Sequence, residues 1–202
     1  WIKYDDFAEF TRYGYELIEQ IPESSETADM SGEIEFKLRN GGSMEADKKE
    51  NIFKMKKAYS SGTQFKMLIT NKQPAFVYII GSDLTNEPYV IFPMNRKMSA
   101  ALNYQNNKVA IPKRGWAAMN DVIGTDYFCV FYAKKPLDIY KIQKRIKQTA
   151  GTFETKVKTA LDNEVVDFRN IQFDTKQGVI TFEGKSEGKN VMAIIFEIEH
   201  VK

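Results

Sequence analysis

The sequence predicts a mainly β (α+β) protein: an antiparallel β-sandwich or barrel-like sheet with an N-terminal helix and a C-terminal helical pair packed on it. Three observations carry this reading. Aromatic residues are abundant, with 14 Phe, 10 Tyr and 2 Trp in 202 residues, and flat rings pack well on pleated surfaces. Most apolar stretches alternate with period two, the signature of half-buried strands. Two short stretches after Pro136 switch to helical spacing before the pattern returns to strands.

In chain order, residues 3 to 21 place Phe7, Phe10, Leu17, Ile18 and Ile21 on one helical face, and Pro22 ends that helix. The polar stretch Glu23 to Asp29 reads as a linker, so residues 1–30 are expected to form a helix and linker ahead of a single β-rich domain at 31–202. Ile34, Phe36 and Leu38 alternate with charged residues up to the turn at Asn40-Gly-Gly42. Phe53 and Met55, then Phe65, Met67 and Ile69, continue the alternation, with turns at Ser61-Gly62 and Asn71 to Pro74. Three segments are apolar on both faces: Phe76 to Ile80, Tyr89 to Phe92 and Tyr127 to Tyr132. Such strands are expected centrally, with one layer above and another below. Gly81 to Pro88 is turn chemistry and predicts a hairpin between the first two.

The helical pair is expected over 136–162. Pro136 suits a first helical turn, Ile139, Ile142 and Ile146 form a narrow stripe, and Gly151 supplies a stop. Thr152 is placed to cap a second helix whose Phe153, Val157 and Leu161 share a face. Ile180 and Phe182 lead into a turn at Lys185 to Gly188, and Met192, Ile194, Phe196 and Ile198 fill one face of a last strand, so a terminal hairpin is expected over 178–200.

Lys and Arg total 29 against 27 acids, a net charge of +2. A dedicated nucleic-acid binder carries a much larger basic excess, so no nucleic acid is expected as a partner. No apolar run approaches the ~18 residues that a membrane helix needs. The chain opens on Trp1 without an initiator methionine, which reads as a cleavage point or a cut from a longer chain, and an upstream domain is expected.

Catalytic chemistry finds little support. Cys129 lies in the most apolar strand, Tyr-Phe-Cys-Val-Phe-Tyr, where burial makes a thiol inert. His200 shares a strand face with Met192 to Ile198, and with one His and one Cys no metal-ligand spacing is available. The nearest carboxylate pairs are Asp5-Asp6, Asp83 with Glu87, and Asp162 with Glu164, each at a helix start, hairpin tip or helix end where acids are common for structural reasons. No phosphate loop, nucleophile elbow or His-Glu zinc helix is present. No catalytic residue, cofactor or metal is therefore expected.

The strongest charge signal surrounds the helical pair, where Lys134, Lys135, Lys141, Lys144, Arg145, Lys147, Lys156 and Lys158 face only Asp138 and Glu154. Lys141, Lys144 and Arg145 point away from the isoleucine stripe. They form either a solvated face or a docking surface for an acidic partner, a phosphorylated glycan or an anionic membrane. Trp116, in Lys113-Arg-Gly-Trp-Ala117, admits two roles: a plug at a barrel or sandwich end, or an exposed recognition aromatic.

One segment resembles a known family. A strand at Gln64 to Thr70 precedes Phe76-Val-Tyr-Ile-Ile80 and a Gly-Ser-Asp turn, then Tyr89-Val-Ile-Phe-Pro93, Val109-Ala-Ile-Pro112, and Gly124-Thr-Asp-Tyr-Phe-Cys-Val-Phe-Tyr132 before Lys134-Lys-Pro-Leu-Asp138. This arrangement resembles the bacterial domain of unknown function numbered 4384, and the helical pair and last hairpin resemble tails that follow it in Bacteroidetes-type proteins. The resemblance implies an accessory module of envelope or secreted proteins, found beside caspase-like peptidase, kinase or tetratricopeptide domains, and it supplies no catalytic residues. The expected function is thus a non-catalytic module that binds protein or glycan or regulates a neighbouring domain, in the periplasm, envelope or outside the cell (cytoplasmic if fused to an intracellular peptidase). The alternative is a small hydrolase with a carboxylate-based site.

Overall fold

In the computed structural model, residues 28–202 other than Asn86 and Asn107 are described, and the helix expected over residues 3 to 21 lies outside them. The chain runs β1 (Met30–Leu38), β2 (Ser43–Met44), β3 (Ala46–Lys49), β4 (Ile52–Met55), β5 (Tyr59–Ser60), β6 (Gln64–Asn71) and β7 (Ala75–Ser82). It continues through β8 (Tyr89–Phe92), β9 (Ala101–Leu102), β10 (Lys108–Ile111), β11 (Ala117–Ala118) and β12 (Gly124–Ala133). Two helices follow, α1 (Ile139–Gln148) and α2 (Phe153–Leu161), and then β13 (Ile171–Lys176), β14 (Val179–Gly184) and β15 (Val191–Val201). The protein is mostly β, as the aromatic content and alternation require.

The strands form two sheets. The first has the order β10-β6-β1-β14-β13, and the second β3-β4-β15-β12-β7-β8. Their inner faces share one apolar core to which β1, β4, β6, β7, β12, β14 and β15 all contribute. Phe36 of β1 sits at its centre, its ring centroid 4.8 Å from Phe196, 5.9 Å from Phe65 and 6.0 Å from Phe128. The contacts with Phe196 and Phe128 are edge-to-face, an arrangement that adds to the burial of large rings. Tyr132 reaches across the core and its hydroxyl donates to the Ser31 carbonyl at 3.0 Å, so the one polar atom of a fully buried ring is satisfied. Gly32 lets β1 lie close to its neighbours, because a Cβ there would stand 2.6 Å from the Thr70 carbonyl and 2.8 Å from the Phe182 ring.

The outer face of the second sheet is covered by the helices. Ile139, Ile142 and Ile146 of α1, with Phe153, Val157 and Leu161 of α2, pack on Phe76, Tyr78, Ile80, Cys129, Phe131, Val191 and Ile195. The expectation that Phe76 to Ile80 and Tyr127 to Tyr132 lie centrally under two layers therefore holds for β7 and β12. It fails for Tyr89 to Phe92: β8 is the edge of its sheet and Tyr89 is exposed. Four apolar residues are too short a run to separate a central strand from an edge strand.

Three other expectations are corrected. Pro136 stands outside α1, whose N-cap is Asp138, its carboxylate accepting from the Lys141 amide at 3.0 Å. Residues 178–200 are not a hairpin: β14 pairs with β1 and β13 in the first sheet, whereas β15 pairs with β12 in the second. The second sheet is mixed rather than antiparallel, since β15 runs parallel to β4 and β5. Thr152 caps α2 as expected, accepting from the Thr155 amide.

Because Phe36 is only 1% exposed and meets three rings from both sheets, Phe36→Ala should cost about 3–5 kcal/mol of stability in urea melts. A loss below about 1 kcal/mol would mean that the two sheets do not depend on this contact.

Candidate functional site

Three places hold side chains that could do chemistry or recognition. The first lies at one end of the inter-sheet core. Here β15 carries His200, which pairs in register with Gly124 of β12 and Tyr59 of β5. Ser61 Oγ is 3.1 Å from His200 Nε2, and Asp126 Oδ2 is 2.9 Å from Nδ1, an ion-pair distance without the alignment of a hydrogen bond. Burial raises the Asp126 carboxyl above its usual range, His200 opposes that rise, and Asp83 adds to it. Sequence reading had no means of pairing a serine at 61, an acid at 126 and a histidine at 200.

The residue types are those of a serine hydrolase, but they are enclosed and their neighbouring amides are occupied. The His200 side chain is fully enclosed on the inner face of its strand. A shallow depression borders it, lined by Lys54, Ile123, Glu197, Glu199 and His200 itself, whose side chain is 0% exposed. The amides that would bind an oxyanion are already spent, Ser61 N–H on the Val201 carbonyl and Gly62 N–H on that of Met119. The group works as a clasp joining β5, β12 and the end of β15. Cys129, 0% exposed beneath the helices, has its thiol pushed well up by burial.

The second place is the basic helix face. Lys141 and Lys144 are exposed on α1, whereas Arg145 donates from Nη1 to the Ala160 carbonyl at 3.1 Å and so closes the C-terminal end of α2. Lys147 pairs with Glu87, Lys158 with Glu154 at 2.7 Å, and Lys134 with Asp29 at 2.8 Å. Half of the eight cations are thus committed within the fold. Trp116 does not join them. It is half-buried beside the first sheet, with Lys66 Nζ 4.9 Å from its ring centroid, so it neither plugs the core nor stands free.

The third is a cleft of about 570 Å³ between α2, the connection 162–170 and the start of β15. Val165, Val166, Ala193 and Ile195 line it with apolar surface, and Glu154, Lys158, Asp162, Asp167, Glu187 and Lys189 bring charge to it. The connection is held against β15 by Val166 N–H donating to the Val191 carbonyl and Asn190 N–H to that of Glu164. Two of the lining residues carry left-handed backbone without being glycine, Glu187 at φ 48 and Asp162 at φ 53 with ψ −129. The latter is outside the wells open to side-chain-bearing residues, and such strain gathers at functional sites. Sequence reading named Asp162 only as a helix-end acid, and the cleft was missed because its walls lie far apart in the chain. Among the described residues, no three His, Cys, Asp or Glu side chains are grouped to hold a metal ion, and no helix is long and apolar enough to cross a membrane.

The middle of the chain can now be placed among known families. Residues 58–136 match the domain of unknown function DUF4384. No curated protein and no solved structure matches the chain. The DUF4384 segment begins at Ala58, runs through β12 and ends before α1. It supplies one side of both sheets: β10 and β6 in the first, β12, β7 and β8 in the second. The flanks supply the other side, β1 pairing with β6 over seven residues and β15 with β12 over ten. None of the residues lining the cleft belongs to the DUF4384 segment.

Cut out alone, residues 58–136 would leave β6 and β12 with unpaired apolar edges. The isolated segment should therefore aggregate or show no cooperative thermal transition by circular dichroism. A cooperative, monomeric fragment would show that this half of the structure is self-sufficient.

Proposed function

We propose that the chain is a non-catalytic binding module, an accessory part of a larger bacterial envelope or secreted protein, and that the cleft between α2 and β15 is where it takes its partner. On this reading the two face-to-face sheets are a sandwich that serves as scaffold, residues 31–202 act as one unit, and an upstream domain carries any catalysis. The observation that supports it best is the cleft itself: an apolar floor under a polar rim, of a size common for ligand sites. The strained backbone at Asp162 strengthens the case, because strain persists only where the surrounding structure holds it. The exposed pair Lys141 and Lys144 is the competing surface, while Trp116 packs against Lys66 of the first sheet.

Methyl-resolved NMR separates the two surfaces. On titration with peptide and oligosaccharide mixtures, the methyls of Val165, Ala193 and Ile195 should shift, and Ala193→Trp should abolish the response. Shifts confined to α1, lost in a K141E/K144E variant, would transfer the role to the basic face.

The alternative, a small hydrolase, draws on Ser61 beside His200 and on Asp162 at the cleft. The enclosed imidazole and the spent amides speak against a nucleophilic serine. A fluorophosphonate probe should leave Ser61 unlabelled in the native protein, and the protein should not release nitrophenol from nitrophenyl esters or glycosides. Stoichiometric labelling at Ser61, or turnover lost in D162N, would reverse the reading.

A further inference from the structure

We infer that the cleft takes a basic, aliphatic protein segment, in which a Leu, Ile or Val side chain stands beside a Lys or Arg. This rests on the cleft being the binding face. Its floor sets the first half of the requirement. Val157, Val166 and Ile195 are already buried, while Val165 and Ala193 are only half-buried and leave apolar surface for an incoming aliphatic group.

The rim sets the second half. It carries four carboxylates, Glu154, Asp162, Asp167 and Glu187, against the ammonium groups of Lys158 and Lys189. Both lysines are engaged within the fold, Lys158 on Glu154 at 2.7 Å and Lys189 on the Asn163 carbonyl at 2.7 Å. Asp167 is held by Arg169 at 2.6 Å. Among the described residues the Asp162 carboxylate has no hydrogen-bond or ion partner (its backbone N–H donates to the Lys158 carbonyl), and the Glu187 carboxylate accepts only the Asn170 side-chain amide at 2.9 Å. The charge left for a ligand is negative, so a cation is favoured and an anion repelled.

The same residues argue against a sugar. Among the described residues Phe168 is the one aromatic in the lining; it is 8% exposed and its ring is stacked on Phe173 at 4.8 Å. Among the described residues no open ring face is left for a sugar to lie on. An extended peptide needs only the floor for its aliphatic side chain and the two open carboxylates for its cation.

The probe is fluorescein-Gly-Leu-Lys-Val-Lys-Gly-amide, with the Leu-Glu-Val-Glu counterpart as control, both read by anisotropy against the full chain. The lysine peptide should bind and weaken with salt, the glutamate peptide should not bind, and Asp162→Asn with Glu187→Gln should weaken binding about fivefold. Ala193→Trp should abolish it; if that variant loses its cooperative melt, Asn163→Trp on the exposed rim replaces it. Equal binding of both peptides that is still lost on blocking the cleft would overturn the basic-segment inference and keep the cleft. Binding indifferent to the blocking variants would remove the cleft reading as well, and no binding of either peptide at millimolar concentration would sink the inference.

Discussion

Burial of β12 on both faces is the constraint on which the rest of the structure depends. Phe128, Val130 and Tyr132 point into the inter-sheet core, while Cys129, Phe131 and Ala133 point the other way. Neither set can be left to water, so two separate layers must be brought to this one strand. The first sheet supplies the inner cover. The helical pair supplies the outer one, and its isoleucine stripe has its complement in the same strand.

That requirement explains how the DUF4384 segment sits in the protein. It contains the most demanding strands, β7 and β12, but neither outer helix and only one side of each sheet. The flanking sequence meets all three deficits, with β1 on one edge, β15 on the other and α1 with α2 on the outer face. Having built those parts, the flanks also enclose the cleft. The cleft, where we propose recognition, therefore belongs to sequence outside the family segment, and another protein bearing the same segment with different flanks need not share it.

The Ser61, His200 and Asp126 cluster combines short distances with enclosure. Its spacings suit proton transfer, yet the imidazole is sealed and the nearby amides are hydrogen-bonded to carbonyls. What the cluster does accomplish is mechanical. It ties residues from β12 and β15 to the turn after β5, at the end of the core where apolar packing gives out. A buried polar group of this kind stabilises only when its partners are present together.

By itself the sequence determined the strand-rich character, the double-sided burial of β7 and β12, the inward face of β15, the cap at Thr152 and the burial of Cys129. Each follows from residues close together in the chain, where period two or 3.6 decides which side chains share a face. The family segment was legible as well, because its short motifs are local. Tertiary structure alone decided which strand lies beside which: β8 fell to an edge, and β14 and β15 separated into different sheets although they follow one another. It alone brought Ser61, Asp126 and His200 together, closed Arg145 onto Ala160, and shaped a cleft from residues 51, 154–170 and 186–195. Such pairings are set by which partner completes an open edge or covers an apolar face, and that depends on the whole chain at once.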